Sequence, residues 1–135
     1  MKIRGWGATD VGRKRDHNED SYLCSDALSV YAVADGMGGH LGGERASRMA
    51  VEVLEEMLTG AAKERAGQVG DPTAAAPSPS MGAVLKNAVL GADRAIYENA
   101  LANPAVTGMG TTLTVLAFLE RRVYLGHVGD SRAYV

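Results

Sequence analysis

A short apolar segment that ends in an aspartate constrains the fold more than any other part of the sequence. Residues 28–34 are almost continuously apolar and have the length of a strand, which favours a β-strand covered on both faces. Asp35 follows directly, and five of the eight residues 36–43 are glycine. We therefore predict a strand that brings a carboxylate to the sheet edge, beside a backbone that can turn sharply.

A second acidic group, Glu19 and Asp20, precedes another predicted strand at residues 21–24. Carboxylates at strand ends, together with a glycine carbonyl such as that of Gly36, are the oxygen ligands that hard divalent cations prefer. The pattern predicts a metal site that includes Asp35. The alternative, in which the aspartates only cap turns, is equally compatible with the spacing.

Arg15 extends this pattern from metal binding towards a reaction. Two ions held a few ångström apart can lower the pKa of a bridging water to about 7. The planar guanidinium of Arg15 suits a dianionic phosphate better than a neutral carbonyl group. We therefore expect hydrolysis of phosphate esters.

Strands followed by helices and then strands predict an α+β fold. The predicted strands are residues 3–9, 21–24, 28–34, 112–119 and 123–128, and the predicted helices are residues 44–58 and a helix from Ser80 to residue 103. Residues 60–80 carry three of the four prolines without a hydrophobic period, and they predict a flexible Ala/Pro/Gly-rich loop. Residues 132–135 resemble the opening of another strand, which would leave an unpaired edge and mark the front portion of a larger domain.

Composition restricts the classes of partner. The chain has 135 residues, 46% hydrophobic, with a net charge of -2 and dispersed basic residues, so nucleic acid is not an expected partner. No apolar run approaches the ~20 residues that span a bilayer, and the amino terminus lacks a signal peptide, so we expect no membrane contact and a cytoplasmic location. The single Cys24 agrees with a reducing compartment and is predicted to be a buried small hydrophobe.

Four motifs together resemble one protein family. They are Arg-Asp-His-Asn-Glu-Asp at residues 15–20, Val-Ala-Asp-Gly-Met-Gly-Gly-His at 33–40, Gly-Met-Gly-Thr-Thr at 108–112 and Val-Gly-Asp-Ser-Arg at 128–132. Each motif alone is weak, but their order resembles that of the bacterial metal-dependent serine/threonine phosphatases of the protein phosphatase 2C family. The resemblance implies an α/β/β/α sandwich of antiparallel sheets flanked by helices. Residues 1–135 would be the amino-terminal part of that truncated domain.

The resemblance also implies roles for the acidic residues and Arg15. Asp35 matches the aspartate that bridges two metal ions, and Gly36 matches the glycine whose carbonyl binds one of them. Asp20 and Glu19 match acids that order metal-bound water, and Arg15 matches the arginine that binds the substrate phosphate.

Other matched residues have weaker implied roles. Asp130 matches an aspartate that helps to hold a third, weaker ion in bacterial members. Thr111 and Thr112 are expected to pack and hydrogen-bond the central strands, and Ser131 with Arg132 is expected to stabilise the strand turn. Met37 stands where some members carry a histidine that protonates the leaving group, so His40 nearby is a candidate general acid.

The implied activity is hydrolysis of phosphoserine and phosphothreonine in proteins by a metal-activated hydroxide, with Mn²⁺ or Mg²⁺. The implied partners are phosphorylated proteins, the substrates of a serine/threonine kinase. Family members complete the site with two later aspartates, in Asp-Gly and Asp-Asn motifs, and this sequence ends before both. The alternative is therefore a truncated, catalytically inactive member that binds a phosphoprotein or a partner chain.

Overall fold

The computed structural model describes residues 2–69 and 78–135 as one antiparallel sheet with two long helices. The elements in chain order are β1 (Asp20–Ser25), β2 (Val30–Met37), α1 (His40–Gln68), α2 (Met81–Ala102), a 3-10 turn (Pro104–Val106), β3 (Gly110–Thr111), β4 (Leu113–Leu119) and β5 (Arg122–Val128). The strand order is β1-β2-β4-β5, and the short β3 pairs with the end of β2. The predicted α+β class is confirmed.

Both helices pack on one face of the sheet and form the core there. Side chains at alternate positions of β2 and β4 meet the apolar stripes of α1 and α2, and several of the helix residues at this interface are alanine. The buried set includes Val30, Ala32, Ala34, Ala46, Ala50, Leu54, Leu85, Ala88, Ile96, Val115 and Ala117. Alternation along the strands means that the other side chains point away from the helices.

This opposite face of the sheet is largely open, which corrects the prediction that β2 is covered on both faces. Val33 remains 46% exposed and Leu125 59% exposed, although both are apolar. Cys24 also lies on this face and is exposed, so its predicted burial is wrong. An uninterrupted apolar run indicates a strand, but it does not show whether other parts of the chain cover one face of that strand or both.

α1 continues well past its predicted end and replaces the first part of the predicted loop. It runs through Gln68, whereas residues 60–80 were expected to lack regular structure. Residues 61–66 are Ala-Ala-Lys-Glu-Arg-Ala, all strong helix formers, so propensity extends the helix where no apolar stripe exists. Arg65 donates to the Pro79 carbonyl at 3.0 Å, and the remaining loop prediction, at residues 70–77, lies outside the described residues.

Neither terminal segment forms its predicted strand. Residues 3–9 lie over the open face, where a methyl group at Gly5 would overlap the Tyr31 ring and one at Gly7 would lie 2.6 Å from Tyr22. Residues 132–135 are also irregular, so the edge strands are β1 and β5 rather than this segment. A segment that crosses over the face of a sheet has no strand beside it, so its backbone cannot form the ladder of hydrogen bonds that makes a strand.

The second helix agrees with its sequence signals. It begins after Ser80, whose Oγ accepts a hydrogen bond from the Ala83 amide at 3.2 Å. Its buried side chains, Leu85, Ala88, Ala92 and Ile96, recur every three or four residues. In the described part of the chain, no helix is long and apolar enough to cross a membrane.

Candidate active site

Asp20 and Asp35 are directly paired residues of β1 and β2, and their side chains lie on the open face. They line a cavity of about 200 Å³, with Thr9 and Ser131 among the other lining residues. Burial, followed by the nearby Asp35 carboxylate, raises the pKa of Asp20, while Arg15 acts in the opposite direction. Two like charges thus share one small cavity.

Glu19 adds a third carboxylate behind this pair. Its Oε1 is buried and has no hydrogen-bond partner within the described ranges, 2–69 and 78–135. Its backbone carbonyl accepts a hydrogen bond from the Gly36 amide at 3.1 Å, which joins the two acidic motifs. A buried oxygen without a partner is costly to desolvate, so this donor set fits a hard cation that would supply the missing interaction.

Two glycines allow this close approach of β1, β2 and α1. A methyl group at Gly36 would overlap the carbonyl oxygen of Gly43, and one at Gly43 would overlap Oε1 of Glu19. The glycine-rich sequence after Asp35 is therefore required by packing as well as by the turn. Gly36 itself is buried at the end of β2.

Arg15 lies beside the acidic residues but remains open to solvent. Its side chain is 72% exposed, and its Nη1 is 3.9 Å from Oε2 of Glu19. At this distance the ion pair contributes little to stability. The guanidinium is thus near the carboxylates and accessible to an anionic ligand.

Thr112 connects Asp35 with the fourth motif. The Asp35 amide donates to Oγ1 of Thr112 at 3.0 Å, and the Thr112 amide donates back to the Asp35 carbonyl at 2.9 Å. Oγ1 of Thr112 is also 2.7 Å from Oγ of Ser131. The predicted hydrogen-bonding role of Thr112 is confirmed. Asp130 is exposed and lies one residue before Ser131, whereas Ser131 lines the cavity.

Thr9 lines the cavity and is held by Asn18, a pairing that the sequence did not predict. The Asn18 side chain donates to Oγ1 of Thr9 at 2.7 Å and accepts from the Asp20 amide at 3.0 Å. An asparagine two residues before a strand residue is a known signal for such an Asx turn. Its contact with Thr9 could be found only from the tertiary structure.

The described contact of His127 is with a residue of the neighbouring strand. Nδ1 of His127 is 2.9 Å from Oγ1 of Thr114, between β4 and β5. His40 is the first residue of α1, and its side chain lies outside the described part of the structure. Its role as a general acid therefore stays a prediction. No group of three or more His, Cys, Asp or Glu side chains within the described ranges is arranged to hold a metal ion.

Comparison with known proteins agrees with the four motifs. The sequence matches the protein phosphatase 2C family over residues 11–135. The serine/threonine protein phosphatase PstP of Mycobacterium tuberculosis is 35% identical over the whole chain, which covers 23% of PstP. The serine/threonine phosphatase stp of Listeria monocytogenes is 35% identical over 94% of the chain, which covers 47% of that protein.

A solved structure shares the fold. The crystal structure of the PstP catalytic domain in complex with two manganese ions superposes with a TM-score of 0.71 at 35% identity. The match covers 91% of this chain and 46% of that one, so the sandwich architecture is matched only over its first part. The chain spans between about a quarter and a half of the curated relatives it resembles. Family match, identity and fold agree, and the chain belongs to the protein phosphatase 2C family.

Proposed function

We propose that this chain contributes to the hydrolysis of phosphoserine and phosphothreonine in phosphorylated proteins. The observation that carries the proposal is the pairing of Asp20 and Asp35 in one cavity, with the exposed Arg15 beside them. Carboxylates favour a divalent cation, and a guanidinium favours a phosphate. The two kinds of charged group therefore suit the metal ion and the substrate of a metal-assisted phosphate reaction.

Asp35, Asp20, Glu19 and the Gly36 carbonyl are the groups that would hold the ions. Mn²⁺ is the first candidate, because the related PstP catalytic domain was crystallised with two manganese ions, and Mg²⁺ prefers the same oxygen ligands. When bound, such ions supply Lewis-acid activation of water for attack on phosphorus. Asp130 is the candidate to support a third, weaker ion.

Arg15 would bind and orient the substrate phosphate. Its guanidinium is tethered loosely by Glu19, so it can exchange that weak contact for a bidentate pair with phosphate oxygens. This arrangement predicts an effect of Arg15 on substrate binding rather than on metal binding. Because the related proteins are serine/threonine phosphatases, the ligand class that we propose is a protein phosphorylated by a serine/threonine kinase.

One observation favours the inactive alternative. Within residues 2–69 and 78–135, no three metal-binding side chains are gathered around one point, as a tightly bound ion requires. On this alternative, the protein would act as a binding module for a phosphoprotein or a partner chain. The two proposals differ in whether phosphate is released.

The test is Mn²⁺-dependent phosphate release from a phosphoserine peptide by the full-length protein and its Asp35→Ala variant. We expect the variant to lose activity while its circular dichroism spectrum stays unchanged. Asp93→Ala, which removes an exposed aspartate on α2, is the matched control and should retain activity. Wild-type turnover in Asp35→Ala would refute the site, and binding without release would support the alternative.

A further inference from the structure

A hydroxyl that lies behind the carboxylates joins two motifs far apart in sequence. Thr112 is 3% exposed and lies between β3 and β4. Its side chain contacts the Asp35 amide, 77 residues away, and the Ser131 hydroxyl, 19 residues away. Asp35 and Ser131 both line the cavity, whereas Thr112 acts from outside it.

One donor in this chain of hydrogen bonds is fixed by chemistry. The Asp35 amide can only donate, so Oγ1 of Thr112 accepts that bond. Oγ1 of Thr112 is also 2.7 Å from Oγ of Ser131, and either hydroxyl can donate to the other. When Thr112 donates, Ser131 can direct its own proton into the cavity that it lines.

The methyl group of Thr112 makes a second, independent contact with the same turn. Gly129 has a φ of 101°, and a Cβ atom there would lie 2.6 Å from Cγ2 of Thr112. The turn at residues 129–131 therefore packs directly against Thr112 and tolerates only glycine at its first position. The hydroxyl and the methyl group together fix the turn to the backbone of Asp35.

We propose that Thr112 is a positioning residue that sets the Ser131 hydroxyl and the adjacent Asp130 relative to Asp35. The inference rests on the proposed phosphatase function, because it assigns a purpose to a link between two parts of that site. Small displacements of groups that act on one reacting centre reduce turnover strongly, so a rigid link behind the site has a kinetic consequence.

A buried threonine can also be purely structural, and the chain provides that comparison. Thr114 lies two residues further on, is 4% exposed, and bonds to His127 rather than to Asp35 or Ser131. Thr112→Val and Thr114→Val remove the same hydroxyl from neighbouring buried positions. Only the first substitution interrupts the link to the cavity.

The kinetic test uses the full-length protein with Mn²⁺ and a phosphoserine peptide. We expect Thr112→Val to lower kcat by about 10-fold with little change in the peptide KM, while Thr112→Ser retains most of kcat. The double variant with Ser131→Ala should be no worse than the less active of the two single variants, because both substitutions break one link. Wild-type kcat in Thr112→Val, or additive losses in the double variant, would overturn the proposal.

A metal-free measurement separates this inference from the proposed function. In NMR spectra of the protein without metal, the amide signals of Asp35 and Ser131 should shift together in Thr112→Val and stay in place in Thr114→Val. If the wild type has no Mn²⁺-dependent activity, the proposed function fails, and the positioning role for that reaction fails with it. If the wild type is active but neither amide signal moves, the link through Thr112 is refuted on its own.

Discussion

Asp20 and Asp35 are fifteen residues apart in sequence and stand directly opposite each other in the antiparallel pair of β1 and β2. The register places both carboxylates on the face opposite the helices, at the same cavity. Repulsion between them disfavours the doubly charged state, and a divalent cation would reverse that preference. Removal of one of the two carboxylates is therefore expected to stabilise the metal-free protein and to reduce stabilisation by metal.

Asp20→Asn is expected to change stability in opposite directions in the two conditions. The pKa of Asp20 is raised in the folded protein, so its ionised form opposes folding at neutral pH, and the neutral asparagine should raise the metal-free melting temperature. The same substitution removes a candidate ligand, so it should reduce the increase in melting temperature that Mn²⁺ produces. Thermal melts with and without Mn²⁺ measure both effects, and an unchanged Mn²⁺ response would contradict the assignment.

Arg15→Ala is expected to affect substrate binding without affecting metal binding. Loss of a charge-assisted pair with phosphate costs ~1.5–3 kcal/mol, so kcat/KM should fall by about 10- to 100-fold, mainly through KM. Steady-state kinetics and Mn²⁺ calorimetry check the two halves of this prediction. Arg94→Ala is the matched control, because Arg94 is also exposed and also lies near a glutamate four residues away. Loss of Mn²⁺ binding in Arg15→Ala would assign the residue a structural role instead.

Gly36→Ala is expected to destabilise the fold by about 1–3 kcal/mol, the usual cost of forcing a group into a packed site. The added methyl group would overlap the backbone carbonyl of Gly43, which cannot move without displacing the start of α1. Gly60→Ala is the contrast. Gly60 lies in α1 with open space around it, so alanine there should stabilise the protein by about 0.5–1 kcal/mol. Urea unfolding of both variants tests the difference, and equal effects would contradict it.

The Tyr31 phenol gives a prediction at high pH. Burial, followed by its hydrogen bond to Asp26 at 2.8 Å, raises the pKa of Tyr31 to about 12. The unfolded chain loses this proton near pH 10, so the contribution of Tyr31 to stability should fall as the pH rises from about 10 to about 12. Asp26→Ala should lower this pKa towards its usual value without reaching it. NMR titration of the Tyr31 ring carbons provides the measurement, with Asp93→Ala as the variant that should leave the pKa unchanged.

The chain is expected to associate in solution at high concentration. Its open sheet face exposes apolar side chains such as Val33, Val123 and Leu125, and exposed apolar patches favour association. Sedimentation velocity over a range of protein concentrations measures this association. A monomer at every concentration would contradict the prediction.

Local sequence signals predicted most of the secondary structure and the motifs of the candidate site. Ser80 starts α2 as expected, because a side-chain cap depends only on residues three positions away. The hairpin of β4 and β5 also follows its polar turn, in which Glu120 and Arg121 both adopt positive φ. The acidic and glycine motifs identified Asp20, Asp35 and Gly36 as candidates, because short-range spacing and residue chemistry are readable along the chain.

Tertiary structure decided which of those residues meet. The contact from Thr112 to Asp35 spans 77 residues, and the one from Asn18 to Thr9 joins an irregular segment to the start of a strand. Periodicity shows which residues of an element share a face, but it carries no information about strand register or about what covers each face. The sequence therefore determined the elements and the chemistry of the candidate residues. The fold alone placed Asp20 opposite Asp35 and left Val33 and Cys24 exposed.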